Sequence, residues 1–333
     1  MSIAVLVNAH ARRGSAKVAE LAQRILPSAR IVHTQSLDDA RRFVREELAS
    51  DPPRLVLSGG GDGTAVTLVN DLRAAGVSAP TIGLLPLGTG NGWANVMGAP
   101  PAEHAFRALA AFGDSPLPVT EFPLVETEGR MTPFAGAGWD ADLVADYEAQ
   151  VRSTPKHLRR ATGGFGGYLR SIFTRTVPRH AFGKSNPVVT LRNLGARAIV
   201  IDPQGEPQSM ENGEAGAVLY EGRYGTAGAA TMREVGLGFR AFPHAGKVPG
   251  RMAVRVYNAH PVVAAANIRR LWKGAHPLAG SHDFQLDHCR MEFDRPVMFE
   301  IGGEVVGERT AVEFRLCETP LRMLDWRKLR GRA

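Results

Sequence analysis

The sequence predicts an α/β protein of two domains, the first built on a mostly parallel sheet with helices and the second β-rich and sandwich-like. Three observations predict it. The chain has 333 residues, more than one typical domain. Up to about Val96, short apolar strands alternate with helices. From residues 113–133 onward the pattern changes to short strand-like runs separated by Gly, Pro or Asn.

In the first part, residues 3–8 read as a strand ending at Asn8, and 15–26 as a helix with Val18, Leu21, Ala22 and Ile25 on one face. A short strand at 29–33 precedes an amphipathic helix at 37–48. Strand 55–57 runs into the glycine turn 59–64 and a helix to residue 74 carrying Val66, Val69 and Leu72. Strand 80–85 runs into a second glycine turn, and 91–96 opens the next helix. In the second part the strand candidates are 117–125, 188–191, 196–201, 217–220, 252–257, 262–267, 283–287, 291–293 and 297–301. A helical insertion is expected at about 141–175, broken by the glycines of 163–167.

Composition is that of a globular enzyme, 44% hydrophobic and 22% charged, with 37 Gly and 22 Pro for tight turns. Cys289 and Cys317 are the only cysteines, which excludes a disulfide framework, fits a reducing compartment and leaves both thiols inert. The N-terminal apolar run is too short for a signal sequence, and no stretch is long and apolar enough to span a bilayer. A cytoplasmic protein, at most peripheral to a membrane, is expected. The net charge is +7, and residues 151–200 hold ten Lys or Arg with no Asp or Glu. Such a basic segment suits an anionic lipid surface. No zinc finger, aromatic RNA-binding strand or recognition helix accompanies it, so nucleic acid is not expected as a partner.

The chemistry concentrates in two turns at strand ends, Gly59-Gly60-Gly61-Asp62-Gly63-Thr64 and Pro86-Leu87-Gly88-Thr89-Gly90-Asn91. Glycine lets backbone N–H groups converge on an anion, and a following helix adds its positive end. The pair reads as one phosphate site built twice, beyond the carboxyl ends of parallel strands. Asp62 in such a place suits a divalent metal or a hydroxyl awaiting a phosphoryl group. Neither turn is a Walker A loop, and Gly183-Lys184-Ser185 fails as one because Pro178 stands at its first glycine. A dinucleotide fingerprint fails as well. His282, Asp283, Asp287 and His288 do not make a metal site, since alternation along a strand separates them; a solvated hairpin is expected.

Gly60-Gly61-Asp62-Gly63-Thr64 and Pro86-Leu87-Gly88-Thr89-Gly90-Asn91 resemble the catalytic-domain signature of the diacylglycerol kinase and sphingosine kinase superfamily, in its bacterial lipid kinase branch. Val5-Leu6-Val7-Asn8, Thr34, Asn70, Gly138-Trp139-Asp140-Ala141 and Gly303-Glu304 are supporting matches. The resemblance implies a two-domain lipid kinase: ATP and Mg²⁺ as cofactors, the γ-phosphoryl group passing to a lipid hydroxyl at the membrane surface. It implies that Asn8, Thr34, Gly60, Gly61, Gly63, Thr64, Gly88, Thr89, Gly90 and Asn91 cradle the nucleotide. Asp62, Asp140 and Glu304 are then the catalytic candidates, with Asp62 and Glu304 as metal ligands. The last segment is expected to return, giving a nucleotide domain of 1–125 with 311–333 and a lipid-substrate domain of 126–310, with a basic helical insertion at about 141–180 facing the membrane. A homodimer is compatible with this plan.

Two positions depart from the family pattern. Gly302 stands where an Asp with the general-base role usually precedes the Gly-Glu pair, and Gly92-Trp93-Ala94-Asn95 replaces an Asp and an Arg-bearing helix. Asp62 becomes the leading base. The aromatic-rich segment 236–245 resembles that of sphingolipid-directed members, so ceramide or a sphingoid base is favoured slightly over diacylglycerol as acceptor. An inactive lipid-binding relative and an NAD kinase, which shares the Gly-Gly-Asp-Gly-Thr turn, are the alternatives.

Overall fold

A computed structural model of the chain describes residues 2–11, 15–77, 80–88, 90–154, 174 and 186–331. Most of the basic 151–200 segment, including Lys156, Arg159, Arg160, Arg170, Arg175 and Arg179, and most of the expected 141–180 insertion therefore lie outside the described residues. The chain divides into two compact units, residues 1–123 with 318–333, and residues 124–317.

The first unit is a six-stranded sheet. Its strands are β1 (Ile3–Asn8), β2 (Arg30–Thr34), β3 (Leu55–Gly60), β4 (Thr81–Pro86), β5 (Val119–Phe122) and, from the end of the chain, β18 (Leu321–Leu324), in the order β2-β1-β3-β4-β18-β5. All pairs are parallel except β18 with β5. Residues 3–7 and all of β3 are buried, as the unbroken apolar runs of a covered parallel sheet require. Helices α1 (Ser15–Ile25), α2 (Leu37–Phe43), α3 (Asp62–Ala74), α4 (Gly92–Val96) and α5 (Ala102–Phe112) connect them. Ser36 caps α2 reciprocally with Asp39, and a π-turn at Val44–Leu48 extends it. The core holds Trp93 and Trp326, both fully buried. Each such side chain contributes roughly 1.5–3 kcal/mol or more by leaving water.

The second unit has twelve strands among its described residues: β6 (Val125–Thr127), β7 (Arg130–Thr132), β8 (Phe134–Gly138), β9 (Val188–Asn193), β10 (Ile199–Ile201), β11 (Pro207–Ser209), β12 (Val218–Arg223), β13 (Thr226–Ala230), β14 (Met252–Tyr257), β15 (Ser281–Leu286), β16 (His288–Ile301) and β17 (Glu304–Leu316). All the pairings are antiparallel. Helix α6 (Trp139–Ser153) leaves β8, and two short helices, α7 (Pro261–Ala266) and α8 (Ile268–Trp272), lie between β14 and β15. Cys289 is buried in this core, which pushes its thiol up and keeps it inert.

Four expectations need correction. The solvated hairpin expected around 282–288 is not formed: β15 pairs with β10 and β14, β16 with β8, β9 and β17, and Asp283 is buried. Residues 262–267, read as a strand, are helical: Pro261 sits at the first turn, the His260 ring accepts from Val262 N, and Val262 and Val263 are exposed rather than packed in a sheet. Residues 311–316, expected in the first domain, finish β17 and pair with β16 and β6 in the second sheet; only 321–324 join the first sheet. The run 117–125 is not one strand, since β5 and β6 belong to different sheets.

Candidate functional site

Strands β1, β3 and β4 are neighbours and parallel, so their ends at Asn8, Gly60 and Pro86 open on one edge of the sheet, with Gly60 opposite Pro86. The two glycine turns therefore start side by side. The amides of Leu87 and Gly88 both donate to Gly60 O, at 3.0 and 2.9 Å. Gly88 approaches so closely that a Cβ there would strike Gly61 Cα and lie 2.9 Å from Gly61 N. A Cβ on Gly60 would lie 2.5 Å from Thr64 Cβ. These glycines make room for one turn against the other and against α3.

Asp62, the first residue of α3, reaches across to the second turn. Its Oδ2 accepts from Gly92 N and its Oδ1 from Trp93 N, both at 2.9 Å. These are the first two amides of α4, so the carboxylate caps that helix from outside. Burial raises the Asp62 carboxyl above its ordinary value, and the two amide bonds only partly offset it. The causes of that shift include no neighbouring cation. Each oxygen keeps a lone pair beyond its amide bond, so Asp62 is a residue that could hold a divalent cation, which would supply positive charge beside the buried carboxylate.

The remaining predicted residues divide by what their polar atoms already do. Asn91 holds a left-handed backbone at φ 50° and closes its own loop: its Oδ1 accepts from Gly88 N and its Nδ2 donates to Gly88 O, each at 2.9 Å. Asn8 donates from Nδ2 to Thr64 Oγ1 at 3.0 Å and accepts from His10 N, fastening β1 to α3. Thr34 is buried, and its hydroxyl points to Val7 O at 3.4 Å. Asn70 donates to Val66 O inside α3. These side chains frame the turns. The groups that fit a phosphate are the backbone amides of α3: its first turn begins at Asp62, no side chain caps it at Gly61, and its first such helical bond runs from Ala65 N to Gly61 O. Gly63 and Thr64 belong to that turn. Gly90 lies in the second turn, and Thr89 lies outside the described residues. The two turns are thus unequal, since Asp62 already takes the first amides of α4.

In the second unit, Gly302 and Gly303 form the two-residue turn between β16 and β17, with φ 62° and 87°. That is a hairpin geometry which favours glycine at both places, so Gly302 meets a conformational demand where the family pattern has a carboxylate. Glu304 follows, half-exposed, with Arg130 at 3.6 Å. Sequence reasoning missed Glu300, which is 4% exposed and accepts from Gly303 N at 2.6 Å; the run Glu-Ile-Gly-Gly-Glu was the only signal. Asp140 lies in the first turn of α6, which begins one residue earlier at Trp139.

Residues 2–119 match the family model described as the diacylglycerol kinase catalytic domain. A "Probable lipid kinase YegS-like" of Pseudomonas aeruginosa is 34% identical over 144 residues, 43% of this chain and 43% of that protein. The aligned stretch therefore spans less than half of this relative's length. Among solved structures, a diacylglycerol kinase from Bacillus anthracis is 18% identical, with a TM-score of 0.64 over 97% of this chain and 96% of that chain. An NAD kinase from Archaeoglobus fulgidus in complex with ATP is 14% identical, with a TM-score of 0.51 over 99% and 96%. Both likenesses establish the shared two-part α/β fold. Residues 2–119, with both glycine turns inside them, are thus the part of this chain that is similar to the diacylglycerol kinase catalytic domain.

Proposed function

We propose that the chain is an ATP-dependent lipid kinase that transfers a γ-phosphoryl group to a hydroxyl of a membrane lipid. The observation that carries this reading is the joined pair of strand-end turns, inside the matched segment, with the first turn of α3 open to an anion. On this reading the amides of Asp62, Gly63 and Thr64 hold nucleotide phosphates, Gly90 borders them, and Asp62 keeps the second turn in register. Bound magnesium supplies charge neutralisation at the phosphoryl oxygens. Positioning provides most of what phosphoryl transfer needs, so the chain's part is to bind and orient. Glu304, 3.6 Å from Arg130, and Asp140 are the further acidic groups that the family resemblance offers for the reaction.

For the acceptor, a diacylglycerol-type lipid is the better reading. The match of residues 2–119 to the diacylglycerol kinase catalytic-domain model supports it, and ceramide or a sphingoid base, favoured slightly by the resemblance of segment 236–245, stays as the alternative acceptor. The ten cations of 151–200 support contact with anionic lipid. Among the described residues no helix is long and apolar enough to cross a membrane.

The test is transfer from radiolabelled ATP, with magnesium, to vesicles carrying diacylglycerol, ceramide or a sphingoid base, and to NAD in solution. Labelled phosphatidic acid is expected. Labelling of NAD alone, or ATP binding with no labelled lipid in any panel, overturns the reading. In the same vesicles, reversing the charge of Arg159 and Arg160 is expected to weaken binding to anionic lipid and leave ATP affinity unchanged; unaltered vesicle binding removes the membrane role of that segment.

A further inference from the structure

The second unit buries a polar group that the proposed phosphoryl transfer does not use. Arg255 on β14 and Asp283 on β15 are register partners, 7% and 6% exposed. The guanidinium forks onto the carboxylate, Nε to Oδ1 at 2.6 Å and a terminal nitrogen to Oδ2 at 3.0 Å, and the Ser281 hydroxyl donates to Oδ2 at 2.9 Å. Two histidines complete the group. His276 Nδ1 lies 3.8 Å from Asp283 Oδ2, and the His276 and His244 rings meet edge to face with centroids 4.5 Å apart.

Proton positions decide what can occupy this place. His276 Nε2 is 2.6 Å from the Asp202 carbonyl oxygen, which can only accept, so Nε2 carries the hydrogen. A neutral ring then presents a bare lone pair at Nδ1, which is buried and has no partner. His244 is 9% exposed, and its Nε2 is likewise buried without a partner. His244 and His276 nitrogens and an Asp283 oxygen lie within 4.8 Å of one another. Two buried ring nitrogens, His244 Nε2 and His276 Nδ1, left without a hydrogen-bond partner are costly, and a shared cation removes that cost.

We propose that His244, His276 and Asp283 form a binding site for a divalent transition-metal cation of the zinc class, using His244 Nε2, His276 Nδ1 and one carboxylate oxygen, with a fourth position left for water. Two imidazoles and one carboxylate suit zinc; magnesium and calcium prefer oxygen donors. The Asp202 carbonyl is the outer partner that fixes the His276 tautomer, and Arg255 orients Asp283 in the same way. The ligands come from three separated stretches, two of them outside the strands. A bound ion would therefore tie the turn bearing His244 and the loop before β15 to the sheet, and its role would be structural.

The test uses the full chain, stripped by dialysis against a chelator and titrated with Zn²⁺ in competition with a chromophoric chelator. One tight equivalent per chain is expected, not displaced by excess Mg²⁺, and raising the melting temperature. His244→Gln and His276→Gln are each expected to weaken it by about tenfold or more, whereas His282→Gln leaves it unchanged. Because substitution of a buried residue can cost the fold, Co²⁺ is also bound to the unaltered chain. Strong visible bands of a four-coordinate nitrogen and oxygen site support the proposal. The weak bands of a six-coordinate ion, the absence of a tight equivalent, or unchanged binding in both folded histidine variants would overturn it.

Discussion

The two glycine turns look alike in sequence and are held in different ways. The first is continuous with a strand and a long helix: β3 ends at Gly60, α3 begins at Asp62, and no side chain caps that helix. The second leads into α4, only five residues long, whose first amides are taken by Asp62 and whose loop is closed by the Asn91 side chain. The first turn offers its amides outward, and the second is a strut fastened to it. Duplication of a motif therefore does not imply duplication of its task. Substitutions at the seam separate the two roles.

The largest effect is expected at the closest approach. Gly88→Ala places a Cβ against the backbone of Gly61, which cannot rotate away as a side chain can. Overpacking of this kind costs about 1–3 kcal/mol, and displacing a reacting group by about 1 Å lowers transfer by about a hundredfold. Gly61→Ala is the control, because its Cβ would meet Gly88 Cα at an ordinary 3.4 Å and its φ of −100° suits alanine. Transfer rates that fall equally in both variants would break the asymmetry.

Next comes the strut itself. Asp62→Asn keeps the shape but turns one of two accepting oxygens into a donor facing an amide. Loss of a charge-assisted bond costs about 1.5–3 kcal/mol, so transfer is expected to fall by about tenfold to a hundredfold with the circular dichroism spectrum unchanged. Near-normal turnover would show that Asp62 neither positions the second turn nor meets the metal.

How much of this could be read beforehand depends on how local each interaction is. The turn at Gly59–Thr64 was legible because strand, glycines and helix start are contiguous, and a close backbone approach demands glycine whatever surrounds it. The partners of Asp62 are 30 and 31 residues away and are set by the register of β3 on β4, which no local pattern encodes. Strand β13, Thr226–Ala230, escaped notice for a related reason. Its Ala and Gly are poor strand formers, yet a Cβ on Gly228 would lie 2.5 Å from Ala135 O and 2.9 Å from Gly136 Cα, so packing against β8 selects small residues there. The His244, His276 and Asp283 group is further still from legibility. Alternation correctly separated Asp283 from His282, but the partners that replace His282 lie outside its strand.

A smaller effect distinguishes backbone from side chain at Asn91. Asn91→Ala removes both bonds to Gly88, each contributing about 1 kcal/mol, and leaves a non-glycine residue in the left-handed region. Asn91→Gly loses the same bonds but relieves that conformation, which costs other residues roughly 1–2 kcal/mol. The alanine variant is therefore expected to melt at the lower temperature. Equal melting temperatures would mean that the side-chain closure alone matters.

The smallest effect is expected where the first turn is fastened. Asn8→Ala removes one hydrogen bond to Thr64, worth about 1 kcal/mol, from a turn already fixed by pairing of β3 with β1 and β4 and by the helix behind it. A rise of a few fold in the KM for ATP with little change in kcat is expected, since the lost contact steadies bound phosphate without touching the reacting atoms. A drop in kcat as large as that of Asp62→Asn would mean that the first turn also depends on an outside fastener, and the two turns would then be equivalent in how they are held.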